Sequence, residues 1–209
     1  MTKKLAALLL LPIMLLSCSH INNLAKIPPQ RSTKREDRRE ERNHACVYKP
    51  ILNLSQRLKK YPFDSAAQIK LVSWINEQDT THIPEFISRE GLPMLNDTVC
   101  YSKLKELKVL NLTQVDSLTS VLYNYSYGGR VYTGSISDCY TPRNAILFLN
   151  TEGKTFEYLE ICFECGRIKS SSEGMEKGDM CNEKMGMIKD FFERAGISYG
   201  VTTYFGQSN

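Results

Sequence analysis

The chain is poor in the residues that most enzymes work with. It has three histidines in 209 residues, and only His82 lies beyond residue 45. A Ser-His-Asp or Cys-His arrangement in the body would have to use that one imidazole, and a lone histidine in a polar stretch is an ordinary surface residue. There is no phosphate-loop pattern, no Gly-x-Gly-x-x-Gly and no zinc-protease helix, so three large classes of chemistry have no support. No second Cys-x-x-Cys accompanies the one at Cys162 and Cys165, and no repeat of solenoid period is present. No apolar run reaches the roughly 20 residues that a membrane-spanning helix needs.

What is present begins with an address. Residues 1–17, MTKKLAALLLLPIMLLS, place Lys3 and Lys4 ahead of a short apolar core from Leu5 to Leu16, the pattern of a secretory signal. Leu15-Leu16-Ser17-Cys18 resembles the lipobox of bacterial lipoproteins, in which cleavage leaves the cysteine as an acylated N-terminus. That resemblance implies lipidation of Cys18, palmitate included, and a membrane reached through the N-terminal lipid. Several acyl chains on one residue anchor stably, at about 0.8 kcal/mol per buried methylene.

Without the leader, 25 basic residues face 23 acidic ones; from Cys46 onward the counts are 18 and 19. The basic pI therefore belongs to the leader and to residues 18–45 and gives no support for a nucleic-acid partner. Residues 19–45 hold two adjacent prolines and then a dense run of mixed charge, in which Glu36, Asp37, Glu40 and Glu41 offset the arginines. Such a stretch buries too little surface to offset its ordering entropy, and it reads as a disordered, solvated tether. The body, residues 46–209, is long enough for one compact domain.

Within the body, AQIKLVSWI (67–75) reads as a strand, and residues 76–109 read as irregular. LTQVDSLTSVLYNY places Leu112, Val115, Leu118 and Leu122 on one helical face, with Thr113 and Asp116 at the N-cap and N3 positions. A glycine- and tyrosine-rich loop follows. RNAILFL (143–149) is apolar at nearly every position, as in a strand buried on both faces. After a turn carrying Gly153, TFEYLEICF (155–163) alternates and closes a β-hairpin. Cys181, Met185, Ile188, Phe191, Phe192 and Ala195 then recur at helical spacing, with Gly196 as the cap. The expectation is a single α+β domain, an antiparallel hairpin or sheet with helices packed on one face.

The stretch CYTPRNAILFLNTEGKTFEYLEICFEC, followed by a cysteine-bearing helix and GISYG, resembles a group of small lipoproteins of Bacteroidetes-type bacteria over roughly Gln114 to Gly200. The resemblance implies a lipid-anchored protein of the cell envelope, at the outer membrane, and it brings neither an activity nor assigned site residues. It also gives meaning to Asp64-Ser65, Asp79-Thr80, Asp97-Thr98 and Asp116-Ser117, which match an O-glycosylation acceptor of such envelopes. Ser65, Thr80, Thr98 and Ser117 are the candidate acceptors, although Asp-Ser and Asp-Thr also start turns and cap helices.

Six cysteines follow Cys18: Cys46, Cys100, Cys139, Cys162, Cys165 and Cys181. An even count in an exported chain favours disulfides. Two other readings stay open. Cys139, Cys162, Cys165 and Cys181 could complete a four-thiolate zinc site if the chain turns at Gly166. Cys162 and Cys165 could instead form a redox couple, which needs a lowered thiol pKa; Glu160 and Glu164 flank the pair and oppose that, and Arg143 or Arg167 would have to compensate. In the disulfide reading, Cys162 or Cys165 bonds with Cys181 and ties strand to helix, and the remaining strand cysteine bonds with Cys139.

Glu157, Glu160 and Glu164 could pair as acid and base on a sugar, or be the solvated face of a strand. Tyr123, Tyr125, Tyr127, Tyr132 and Tyr140 could stack on a ligand or a glycan, or be half-buried loop residues. The function expected is a lipid-anchored, disulfide-stabilised binding or accessory module without enzymatic activity or cofactor, whose partner is an envelope protein or a glycan. The alternative is a thiol–disulfide oxidoreductase using Cys162 and Cys165.

Overall fold

A computed structural model describes residues 32–76, 91–132 and 139–202. The leader, Cys18, Thr80 and His82 lie outside the described residues. The chain divides into two units, residues 1–38 and 39–209. In the first, residues 32–38 open helix α1 (Lys34–His44). Thr33 Oγ1 accepts from the Glu36 N–H at 3.3 Å, and the Thr33 N–H donates to the Glu36 carboxylate at 2.7 Å. Acidic Glu36 and Asp37 in the first turn, with Arg42 and His44 in the last, complement the helix dipole. The tether expected as a coil is thus helical over these residues, held by capping and charge with no residue of α1 buried.

In the second unit the order continues β1 (Cys46–Tyr48), α2 (Leu54–Arg57), β2 (Gln68–Trp74), β3 (Met94–Leu95), β4 (Thr98–Val99), β5 (Leu104–Val109), α3 (Leu112–Tyr123), β6 (Tyr125–Tyr127), β7 (Asn144–Leu149), β8 (Thr155–Cys162), β9 (Arg167–Ser170) and α4 (Lys184–Arg194). Five strands form one antiparallel sheet, in the order β5-β2-β7-β8-β9. β1 pairs with β6, and β3 with β4.

The apolar run of β7 takes the central position, and all six of its residues are buried. β7 and β8 make the expected hairpin, with Ile146 opposite Leu159. Its turn needs a left-handed residue, which Gly153 supplies at φ 77°. β5 and β9, which the sequence pattern did not separate from loop, are the two edges of the sheet. Lys105, Glu106 and Lys108 in β5, and Arg167 and Lys169 in β9, break the apolar alternation that marks inner strands; charge on edge strands is also what discourages further pairing.

The N-cap of α3 is Asn111, two residues earlier than the expected Thr113. Asn111 Oδ1 accepts from the Gln114 N–H at 2.9 Å while Gln114 Oε1 accepts from the Asn111 N–H at 3.0 Å. This reciprocal box places Thr113 inside the helix. Val115, Leu118 and Leu122 are buried as the spacing requires, whereas Leu112 is exposed. α4 buries Ile188, Phe191 and Phe192, and Gly196 follows at φ 94°.

Alternation along the strands divides the core. Ile69, Leu71, Ile146, Phe148, Leu159 and Ile161 face α3 and α4. Val72, Trp74, Ala145, Leu147 and Leu149 form the other layer, covered by Leu92 and Val99. Among the described residues, no helix is long and apolar enough to cross a membrane.

Candidate functional site

Two disulfides are present. Cys46 bonds with Cys181 and Cys139 with Cys165, at Cα separations of 5.0 and 5.6 Å, while Cys100 and Cys162 remain free thiols. The expected link from Cys162 or Cys165 to Cys181 is not made. Cys181 lies ahead of α4 rather than in its first turn, so it meets β1 instead of the sheet. The same junction is fixed by the Asn182 N–H, which donates to His44 O at 3.0 Å, and by the Cys46 N–H, which donates to the Glu183 carboxylate at 2.6 Å.

Cys162 and Cys165 do not bond with each other. Cys162 ends β8, is buried, and its Sγ lies 3.2 Å from Thr141 O. Cys165 lies in the turn before β9 and reaches Cys139, in the segment preceding β7. Arg143 pairs with Glu164 at 2.7 Å beside this bridge, and Arg167 donates to Cys139 O at 3.3 Å. The four cysteines considered for zinc are divided between two disulfides and one free thiol. Among the described residues no group of three histidine, cysteine or carboxylate side chains could hold a metal ion.

The three glutamates are also separated. Glu157 faces the helix side of β8 and accepts from Tyr61 Oη and Ser172 Oγ, each at 2.7 Å, and from Ser171 Oγ. Burial alone would raise its pKa, but these hydroxyls outweigh it and hold the carboxyl below its usual value. The same bond is the main reason that the Tyr61 hydroxyl is pushed up to about 12. Glu160 points to the other face, where it accepts from Tyr140 Oη at 2.9 Å and from the Leu92 N–H. Glu164 is held by Arg143. Alternation explains the split, since residues 157 and 160 differ by an odd number.

Nor do the tyrosines form one cluster. Tyr123 donates to Glu176 O at 2.8 Å and Tyr127 to Met180 O at 2.9 Å, so both secure the segment between β9 and α4. Tyr140 lies under Lys169, whose Nζ is 3.5 Å from the ring centroid. Tyr125 packs on Tyr48 at 5.0 Å, and Tyr132 is 77% exposed. Ser65, Thr98 and Ser117 are at the surface.

Two features carry no sequence signal. Lys184 is fully buried, and its Nζ donates to the carbonyls of Val121, Leu122 and Tyr125 at 2.6, 2.9 and 2.7 Å. It satisfies two orphan carbonyls at the end of α3 and one at the start of β6. Burial lowers its pKa to about 8, partly offset by the Asp179 charge.

The second feature is a cavity of about 320 Å³ on the sheet face away from α3 and α4. Among the described residues its lining comes from three stretches: Trp74 to Asn76, Gly91 to Met94, and Lys103. No periodicity announces such a meeting. Trp74 is 1% exposed, and its Nε1 has no hydrogen-bond partner. At Gly91 a Cβ would fall 2.1 Å from Glu160 Oε1, so the backbone there lies directly on the carboxylate.

The chain was compared with family models, with curated proteins and with solved structures, and none of them matches it.

Proposed function

We propose that this protein is a lipid-anchored component of a bacterial envelope, at the outer membrane, whose body works as a non-enzymatic binding or accessory module. The observation that carries the reading is the partnership of Cys165 with Cys139 rather than with Cys162. A dithiol couple needs both sulfurs of the Cys-x-x-Cys free to bond with each other. Here one is committed to a clamp between the β8–β9 turn and the segment before β7, and the other is buried in β8. Two disulfides also suit an oxidising compartment, where the leader of residues 1–17 would deliver the chain. Partners consistent with this are an envelope protein or a glycan.

Acyl labelling tests it. Cells fed labelled palmitate are expected to yield a labelled, membrane-bound wild type and an unlabelled Cys18→Ala chain that is released or left unprocessed. A Cys18→Ala chain labelled and membrane-bound like wild type would overturn the anchor.

A further inference from the structure

The two edges of the large sheet are not alike. β9 is four residues long, and its Ile168 O already accepts from Lys177 Nζ at 3.5 Å. β5 is six residues long, and among the described residues it pairs with β2 alone. Lys108 stands opposite Leu71 and Val109 opposite Lys70, and the Leu110 N–H donates to Ile69 O at 3.0 Å. Hydrogen bonding alternates along an antiparallel strand, so Lys108 turns its N–H and C=O to β2 while Leu107 and Val109 turn theirs outward. Among the described residues nothing takes up those outward groups. Leu107 and Val109 also present their side chains on one face, each 43% exposed. Lys108 lies on the other face, exposed and without a hydrogen bond or ion pair among the described residues. Lys105 Nζ lies 3.8 Å from the ring centroid of Tyr199, the residue that donates its N–H to Glu106. Glu106, the one carboxylate of β5, is spent: it accepts from Ser73 Oγ at 2.7 Å, from Ser198 Oγ at 2.8 Å and from the Tyr199 N–H at 3.0 Å. The β5 edge therefore combines open backbone groups, two apolar side chains and lysine charge.

We propose that the β5 edge takes up an extended protein segment that alternates acidic and apolar side chains. Such a segment bonds with the backbone of Leu107 and Val109 and joins the sheet as an added strand. Successive side chains of a strand point to opposite faces, so its apolar set lies beside Leu107 and Val109 and its acidic set beside Lys108. Charge chooses the occupant. A second copy of β5 would bring lysine to lysine, because Glu106 is spent, and edge lysines deter self-pairing in this way. An acidic strand turns the same charge into attraction. The inference rests on the binding-module reading and names the partner as a protein segment rather than a glycan. An edge that takes up nothing would leave the lipid anchor standing, because acyl labelling of Cys18 tests that separately.

The full-length protein, isotope-labelled and held in detergent micelles, is titrated with an octapeptide alternating glutamate and valine, and separately with its lysine–valine counterpart. Amide resonances report the binding. The expected result is a saturable shift at Leu107 and Val109 with the acidic peptide, at a dissociation constant of about 1 mM or tighter. The lysine peptide is expected to bind at least about tenfold more weakly. Hydrogen exchange at the Leu107 and Val109 amides should slow by about fivefold or more with the acidic peptide, and the β9 amides should not change. Lys108→Glu, at an exposed position, should weaken the acidic peptide by about fivefold or more and strengthen the lysine peptide. Leu107→Pro removes an outward N–H that β2 does not use, so it should abolish binding in a folded chain; should that variant unfold, Lys108→Glu decides alone. The absence of saturation up to about 10 mM acidic peptide overturns the proposal. So does binding indifferent to the charge of the peptide or to Lys108, and so does protection that falls on β9. Leu107 and Val109 amides already slow before any peptide is added would give the edge to a second copy or to residues 203–209, and would overturn it equally.

Discussion

The side of the sheet facing α3 and α4 and the side facing the β3–β4 pair are closed by different means. The first is filled by long periodic helices whose Leu118, Leu122, Ile188 and Phe192 are wholly buried against β2, β7 and β8. The second is covered by short pieces, residues 91–95 and 98–104, that bring Leu92 and Val99 over Trp74 and leave a cavity and an unpartnered donor. Close packing on one side and a void with a polar group on the other indicate a division of labour. The helix side holds the larger buried core, and the β3–β4 side holds a smaller one beside a cavity of about 320 Å³.

That comparison can be sharpened by substitutions, the largest expected effect first. Cys46→Ser opens a bridge between residues 135 apart, and in the chain-entropy model such a closure contributes about 5 kcal/mol. Cys139→Ser opens one of separation 26, for about 3.5 kcal/mol. Urea unfolding of the two variants should therefore rank them in that order, and the reverse ranking would contradict loop closure as the main source of their stabilisation. Phe192→Ala, at a site with no exposure and edge-on contacts to Phe163 and Phe191, should cost about 3–5 kcal/mol.

Lys184→Met should come next, at about 2 kcal/mol, because it takes the Lys184 donor from two carbonyls at the end of α3 and one in β6. Its pH dependence has a definite sign. The folded pKa of about 8 lies below the unfolded value of 10.5, so between these pH values the unfolded chain binds more protons. Wild type should gain stability relative to Lys184→Met as pH rises through that window, and a gap that narrows there would contradict a depressed lysine. Trp74→Phe should be the mildest, within about 1 kcal/mol, since it removes an unsatisfied donor along with some packing. A loss as large as that of Phe192→Ala would erase the difference between the faces.

The parts of the fold legible in the sequence are those governed by a period. β7 declared itself by five consecutive apolar residues, β8 by alternation, and α3 and α4 by their buried stripes. The edge strands β5 and β9 were hidden by the charges that protect them, and β6 by tyrosines typical of a loop. Cysteine count announced disulfides, but pairing depends on where chain segments meet in space. Moving the start of α4 past Cys181 was enough to redirect its sulfur from the sheet to Cys46. The cavity was illegible for the same reason, because residues 74, 91 and 103 become neighbours only after the sheet and its cover have formed.

Clamp and redox couple differ in the state of the Cys-Phe-Glu-Cys stretch. Non-reducing peptide mapping of the native protein, with free thiols alkylated before digestion, reads it directly. The predicted result is Cys46 linked to Cys181 and Cys139 to Cys165, with alkyl groups on Cys100 and, once the chain is denatured, on Cys162. A bridge between Cys162 and Cys165, with Cys139 alkylated, would contradict the clamp and turn the reading to thiol–disulfide exchange.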